Sequence, residues 1–182
     1  MRPSTIYRFP VRLAHVDRGV YQDLDLRLAR HPSETERFLL TRLLAFCLLA
    51  EDGLTFSPGG LGSPDDPALA LRTLDGQLAL WVDIGHPSAE RLHRAGKAAA
   101  RVVVVTSDPD RLRRELQGQR VHGAERLEVY AMAPAFLDSL AGAVGPRGTA
   151  LEITISGGEM YVTAGGRSFH TAVDRVPAAL VE

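Results

Sequence analysis

Gln77-Leu78-Ala79-Leu80-Trp81-Val82-Asp83-Ile84-Gly85-His86-Pro87-Ser88, continued by a basic segment from Ala89 to Arg101 and by Val102-Val103-Val104-Val105, is the stretch that decides the fold. Leu78, Leu80, Val82 and Ile84 share one side of a period-two pattern, and Ala79, Trp81 and Asp83 the other, which predicts a strand. Gly85-His86-Pro87 breaks it, and Ser88 suits the N-cap of a helix. Over Ala89 to Arg101 a helical wheel puts Leu92, Ala95, Gly96 and Ala99 on one small-residue face. Glu90, His93, Arg94, Lys97 and Arg101 fall on the other. The four valines read as a strand buried on both faces. Two such strands joined by a helix predict a parallel pair with a right-handed crossover. Asp83 then sits at the carboxyl end of its strand, where sites collect in open α/β sheets.

Totals narrow the classes around this unit. The chain has 182 residues, 45% hydrophobic and 24% charged, which suits one soluble domain with a substantial core. The formal net charge of −1 carries no global basic signature for tight nucleic-acid binding. Cys47, the one cysteine, lies among leucines and reads as a packed core thiol. No apolar run is long enough to span a bilayer, and Met1 to Thr5 lacks the apolar core of a signal peptide. The expected location is cytoplasmic, with no membrane partner.

Working outward, Ile6 to Val16 predicts a strand, with Pro10 pointing to an edge position or a bulge. Tyr21 to Ala29 alternates and completes an antiparallel hairpin. Ser33 and Glu36 have capping-box spacing ahead of a helix from Glu36 to Ala50. Its apolar face holds Leu39, Leu40, Leu43, Phe46 and Cys47, and Arg37, Thr41 and Arg42 mark the opposite side. Leu54 to Pro67 reads as loop. Ala68 to Leu74, turned by Asp75-Gly76, pairs antiparallel with the central strand. Downstream come a helix from Asp108 to Leu116, a strand from Arg126 to Ala131, and a helix from Pro134 to Ala143. A hairpin over Gly157-Gly158 follows, extended by Ser168 to Val173, and the residues from Pro177 are expected to fray.

Arg30-His31-Pro32-Ser33-Glu34-Thr35, Leu43-Leu44-Ala45 and Leu80-Trp81-Val82-Asp83-Ile84-Gly85 with its basic helix together resemble the YaeQ family of small bacterial proteins. The resemblance runs over nearly the whole chain. It implies an α/β fold in a single domain covering 1–182, a mixed β-sheet flanked by helices. That fold is a variant PD-(D/E)XK nuclease core, with N- and C-terminal antiparallel hairpins. Active nucleases on that core hold Mg²⁺ with strand carboxylates, often a helix glutamate, and use a lysine. The metal takes hard oxygen ligands, lowers the pKa of a bound water and shields the phosphate. Carried onto this chain, the metal set is Asp83, Asp65, Asp66 and one or both of Glu34 and Glu36. The catalytic set is Asp83, Glu34, and Arg91 or Arg94 replacing the lysine, because glycine occupies the lysine position in Asp83-Ile84-Gly85. On the wheel Arg94 and Lys97 face solvent and Arg91 lies on a flank, a geometry that does not favour a reach back toward Asp83. The wheel also puts Glu36 amid the apolar face and Glu34 opposite it.

Each residue also has a plainer reading. Glu34 and Glu36 suit the helix N-terminus, Asp65 and Asp66 a proline turn. Asp83 suits a structural ion pair, and Trp81 core packing. His31 and His86 suit loop hydrogen bonding. Arg111, Arg113 and Arg114 suit a solvated helix face. Three functions follow: a Mg²⁺-dependent nuclease or phosphodiesterase acting on nucleic acid, an inactive nucleic-acid- or protein-binding module on the same core, and a protein adaptor.

Overall fold

The alternation from Leu78 to Ile84 forms strand β5 (Leu78–Ile84), and the four valines form the middle of β6 (Ala99–Thr106), joined by helix α2 (Ala89–Ala98). The two strands are parallel, with Asp83 opposite Val104. The structure, a computed structural model, describes residues 2–58 and 65–177. Pro64 and the chain beyond Pro177 lie outside the described residues. The remaining elements are β1 (Thr5–His15), β2 (Val20–Arg30), α1 (Glu36–Leu48), β3 (Thr55–Phe56), β4 (Leu69–Arg72) and α3 (Pro109–Leu116). After them come β7 (Glu128–Met132), α4 (Pro134–Ala141), β8 (Leu151–Ser156), β9 (Glu159–Ala164) and β10 (Arg167–Val176).

Among the described residues ten strands form one mixed sheet in the order β2-β1-β8-β9-β10-β7-β6-β5-β4-β3. β5, β6 and β7 run parallel, as do β1 and β8, and the other neighbours are antiparallel. Both faces of the centre are covered. Leu80, Val82, Ile84, Val103 and Val105 pack into one apolar cluster with α1 and α4. Trp81, Val102 and Val104 pack into a second with Leu92 and Ala95 of α2 and Leu112 and Leu116 of α3. Leu78 departs from its predicted row and packs with the second cluster. The pairing explains this: Leu71 opposes Leu80 but Arg72 opposes Leu78, so Ala79 is an extra residue and the side-chain parity flips across it.

Of the predicted polar side of α1, Arg37 in the first turn is exposed and the rest is not. Leu39, Leu40, Leu43, Leu44 and Cys47 are buried, and so are Thr41 and Arg42. The helix touches β1 and β2 near one end of the strand order and β5 and β6 near the other, and packs on α4 as well. The sheet therefore curls around α1, and beyond its first turn a helix enclosed in this way has no broad solvent face. Each fully buried leucine contributes roughly 1.5–3 kcal/mol of transfer free energy. The thiol of Cys47, in the same core, is pushed up to about 12 by burial. Thr35, not Ser33, caps the helix: its hydroxyl accepts from the Phe38 amide at 3.1 Å. At the other end the helix stops at Leu48, whose carbonyl accepts from His15 Nε2 at 3.0 Å.

β1 is an interior strand rather than an edge, paired with β2 along its length and with β8 from Val11 onward. The Arg8 amide donates to the Arg147 carbonyl at 2.9 Å, so amides of its parity point toward the β8 side. Pro10 shares that parity and falls between this contact and the first β8 pair, where no ladder donor is needed. Among the described residues no helix is long and apolar enough to cross a membrane.

Candidate functional site

Asp83 shares its parity with Trp81, so its carboxylate faces α2 rather than α1. Ser88 caps α2, its hydroxyl accepting from the Arg91 amide at 3.2 Å, which places Arg91 in the first turn. Helical side chains lean toward the N-terminus, here toward the end of β5. Arg91 therefore reaches back, against the wheel-based expectation. Its Nε donates to Asp83 Oδ2 at 2.8 Å and its Nη2 to Asp83 Oδ1 at 2.8 Å. The same Nη2 donates to the Asp66 carbonyl at 2.6 Å, and the guanidinium lies 5.5 Å from the Trp81 ring centroid. The Asp83 side chain is 4% exposed and that of Arg91 22%. Hydrogen bonding to Asp83 raises the Arg91 guanidinium above its usual range against the opposing effect of burial, and the charges of Asp83, Asp65 and Asp66 add to the rise.

Gly85 shows why this site has no lysine two residues after its aspartate. Its φ is +86°, a conformation that a side chain rarely adopts, and its amide donates to the Val105 carbonyl at 2.9 Å. The turn into α2 requires glycine, so the cation comes from the helix.

The other predicted ligands are dispersed. Asp65 accepts from Arg94 Nη1 at 2.8 Å, with both side chains more than half exposed. Asp66 offers Arg91 its backbone carbonyl. Glu34 is sealed in the protein and takes both oxygens to Arg42: Nε at 3.1 Å and Nη2 at 2.9 Å reach Oε1, and Nη2 at 3.2 Å reaches Oε2. Arg42 Nη2 also donates to the Ala29 carbonyl at 2.9 Å. Burial pushes the Glu34 carboxyl up, while the charge and hydrogen bonds of Arg42 pull it down. Glu36 is half-exposed, 3.8 Å from Arg30. The wheel had these two glutamates reversed, because Glu34 precedes the helix and has no place on its wheel.

Mg²⁺ wants near-octahedral oxygen ligands at about 2.0–2.1 Å. Among the described residues no three His, Cys, Asp or Glu side chains are grouped so that they could hold a metal. Both oxygens of Asp83 and of Glu34 already accept from guanidinium groups. In this arrangement the residues do not fit the ion. What they do is hold two arginines, one sealed and one at the surface.

Arg42 escaped the sequence reading. The one signal for it was a cation inside Leu39-Leu40-Thr41-Arg42-Leu43-Leu44, which an enclosed helix accepts only with a buried counter-charge. His31 makes a local contact, Nδ1 to Ser33 Oγ at 2.6 Å. His86 is exposed beside a cavity of about 210 Å³, shared with Arg37, Ser107 and Arg111 at the carboxyl ends of β5 and β6. Trp81 is core, as its plainer reading had it, although its buried Nε1 has no hydrogen-bond partner.

Comparison with known proteins agrees with the architecture. The family model described as YaeQ protein matches residues 1–173. Curated relatives named "Uncharacterized protein YaeQ" include that of Escherichia coli (strain K12), 39% identical over 103 residues, which are 57% of this chain and 56% of that protein. Another is that of Salmonella typhi, 38% identical over 101 residues, 56% of this chain and 55% of that one. The chain thus spans a little over half the length of the curated relatives it matches. The crystal structure of YaeQ protein from Pseudomonas syringae superposes with a TM-score of 0.83 at 29% identity, covering 97% of each chain. That from Xanthomonas axonopodis pv. citri gives 0.80 at 28%, covering 96% of this chain and 98% of that one.

Proposed function

The chain belongs to the YaeQ family, and from the geometry at the end of β5 we propose that it is a nucleic-acid-binding module on a variant PD-(D/E)XK nuclease core. Support for the core comes from placement. The sheet is mixed with helices on both faces, Asp83 lies on one strand, and Asp65 and Asp66 immediately precede its neighbour β4. The observation that carries the binding reading is the Asp83–Arg91 fork. A carboxylate with both oxygens committed to a guanidinium is an anchor for a cation. It fixes the first turn of α2 and, through the Asp66 carbonyl, the entry to β4. Arg94, one turn on and 51% exposed, then stands where a phosphate can compete with Asp65 for it.

Binding of fluorescein-labelled single-stranded and duplex DNA and RNA, followed by anisotropy at low salt in EDTA, tests this reading. Metal-independent binding that weakens in Arg94→Gln is expected. Absence of binding in EDTA would overturn it. Mg²⁺- or Mn²⁺-dependent cleavage abolished in Asp83→Asn would return the site to the phosphodiesterase reading, with Asp83, Asp65 and Asp66 as ligands once Arg91 is displaced.

A further inference from the structure

α2 carries a glycine in its last turn, although glycine is a poorer helix former than alanine by up to about 1 kcal/mol. The reason lies across the surface. A Cβ on Gly96 would stand 2.0 Å from the His122 carbonyl oxygen, so the loop between α3 and β7 rests on the helix at this position. The His122 amide donates to His93 Nδ1 at 3.0 Å, and the two rings meet edge to face with centroids 6.1 Å apart. This docking sets His122 and Arg120 of the loop beside His93 and Lys97 of the helix. Lys97, Arg120 and His122 are exposed, and among the described residues none of them forms an ion pair with a carboxylate. In a chain of net charge −1 this is a local concentration of positive charge.

We propose that the docked surface of Lys97, Arg120, His93 and His122 is a second phosphate-contact patch for a nucleic-acid backbone, continuing from Arg94 along α2. The inference rests on the nucleic-acid reading and adds to it where the backbone runs. Arg91, Arg94 and Lys97 follow the i, i+3 row of one helix, so a strand held at Arg94 meets Lys97 about 4.5 Å further along the axis. Arg120 extends the line onto the loop. An extended polyphosphate suits such a row of long cations, and among the described residues the patch holds no Phe, Tyr or Trp on which bases could stack, while its two imidazoles are turned edge to face on each other, so the contact is to backbone.

The groups bearing on His93 are Lys97 of its own helix and His122 and Arg120 of the loop, with Glu90 one turn back. Partial burial lowers its proton affinity, and repulsion from Lys97, His122 and Arg120 lowers it further. Nδ1 of His93 also accepts the His122 amide, so a second proton there would cost the docking contact, and the phosphate contacts fall to Lys97 and Arg120.

The test is anisotropy of a fluorescein-labelled DNA strand and of its duplex, titrated against salt at about pH 7.5. Lys97→Gln/Arg120→Gln removes two exposed charges without touching the core. It should lower the slope of log affinity against log salt by roughly 1.4 on the single strand and 1.8 on the duplex. Gly96→Ala removes no charge but forces the loop off the helix. It should weaken binding while circular dichroism stays unchanged. Wild-type affinity and salt slope in the double variant, with binding still lost in Arg94→Gln, would overturn this inference and leave the binding reading standing. No binding by the wild type would overturn both. Capture on phosphatidylserine vesicles without nucleic-acid binding would assign the patch to a membrane surface and overturn it equally.

Discussion

Glu34–Arg42 and Asp83–Arg91 are the same bidentate ion pair in two settings. In the first, the side chains are 0% and 1% exposed, locked between β2 and the enclosed helix α1. In the second, the carboxylate is 4% exposed but its arginine 22%, and that arginine also holds a backbone carbonyl from the segment before β4. Taking two charges out of water costs several kcal/mol per ion, which only close pairing and further hydrogen bonds offset. Arg42 is therefore committed inside the protein, to Glu34 and to the Ala29 carbonyl. Arg91, partly in water, can exchange partners at far lower cost, so the second pair is where recognition is possible.

The largest effect should come from breaking the sealed pair. Arg42→Leu strands the Glu34 charge in the core and should destabilise by about 3–5 kcal/mol in denaturant unfolding. Glu34→Leu/Arg42→Leu removes both charges and should recover much of that loss. A double variant no more stable than the single one would mean that the pair holds α1 by specific geometry rather than by charge balance.

Asp83→Asn comes next. It keeps the shape, leaves Arg91 a neutral partner with water nearby, and should cost about 1–3 kcal/mol. Its melting temperature, like that of the wild type, should not respond to Mg²⁺. A variant as stable as the wild type would show that Asp83 gains nothing from Arg91, and a wild type stabilised by the metal would show that the carboxylate can be released to it.

The contrast between the two pairs also marks what could be read from sequence. The β5–α2–β6 unit was legible because period-two and period-3.6 patterns report directly on burial, and the parallel pairing followed from the crossover. The partners of the charges were not legible. A wheel assigned Arg42 to solvent because it counts side-chain polarity and cannot see that strands from both ends of the sheet close over α1. It left Arg91 on a flank because it records directions at the Cα, while the guanidinium lies several bonds away. β3, two residues long, carries no periodicity at all. Asp83 was singled out as a carboxylate needing a partner, and the resemblance set Arg91 or Arg94 beside it; that Arg91 closes on both its oxygens did not show in the pattern.

His15 sharpens the comparison from another side, as a buried titratable group with no ion-pair partner among the described residues. Its side chain donates to the Leu48 carbonyl through Nε2, while Nδ1 has no partner among them. Burial is the main force lowering its pKa, with Arg18 adding to it and the Leu48 hydrogen bond opposing. The unfolded chain thus takes a proton near the ordinary histidine value while the folded protein does not. Stability should decline as pH drops below about 6.5 and level off once the folded-state pKa is passed. His15→Gln keeps a donor for Leu48 and should lessen that decline in thermal melts across the range. An unchanged acid limb would assign the loss to other groups.

The smallest effect belongs to Arg94–Asp65, which completes the series from sealed to open. Its partners meet at 2.8 Å but are 51% and 75% exposed, so water and salt screen them, and holding two long side chains in register costs entropy. A double-mutant cycle of Arg94→Gln and Asp65→Asn should give a coupling of no more than about 1 kcal/mol, shrinking as salt is added. That weakness is what the binding reading needs, because a phosphate can take Arg94 from Asp65 only if the pair gives it up cheaply. Asp65→Asn alone should then leave stability nearly unchanged and tighten nucleic-acid binding, since it removes a competitor and a repelling charge at once. A coupling of several kcal/mol, or weaker binding in Asp65→Asn, would place Arg94 with Arg42 as a structural cation and leave the site at the end of β5 without its exposed arm.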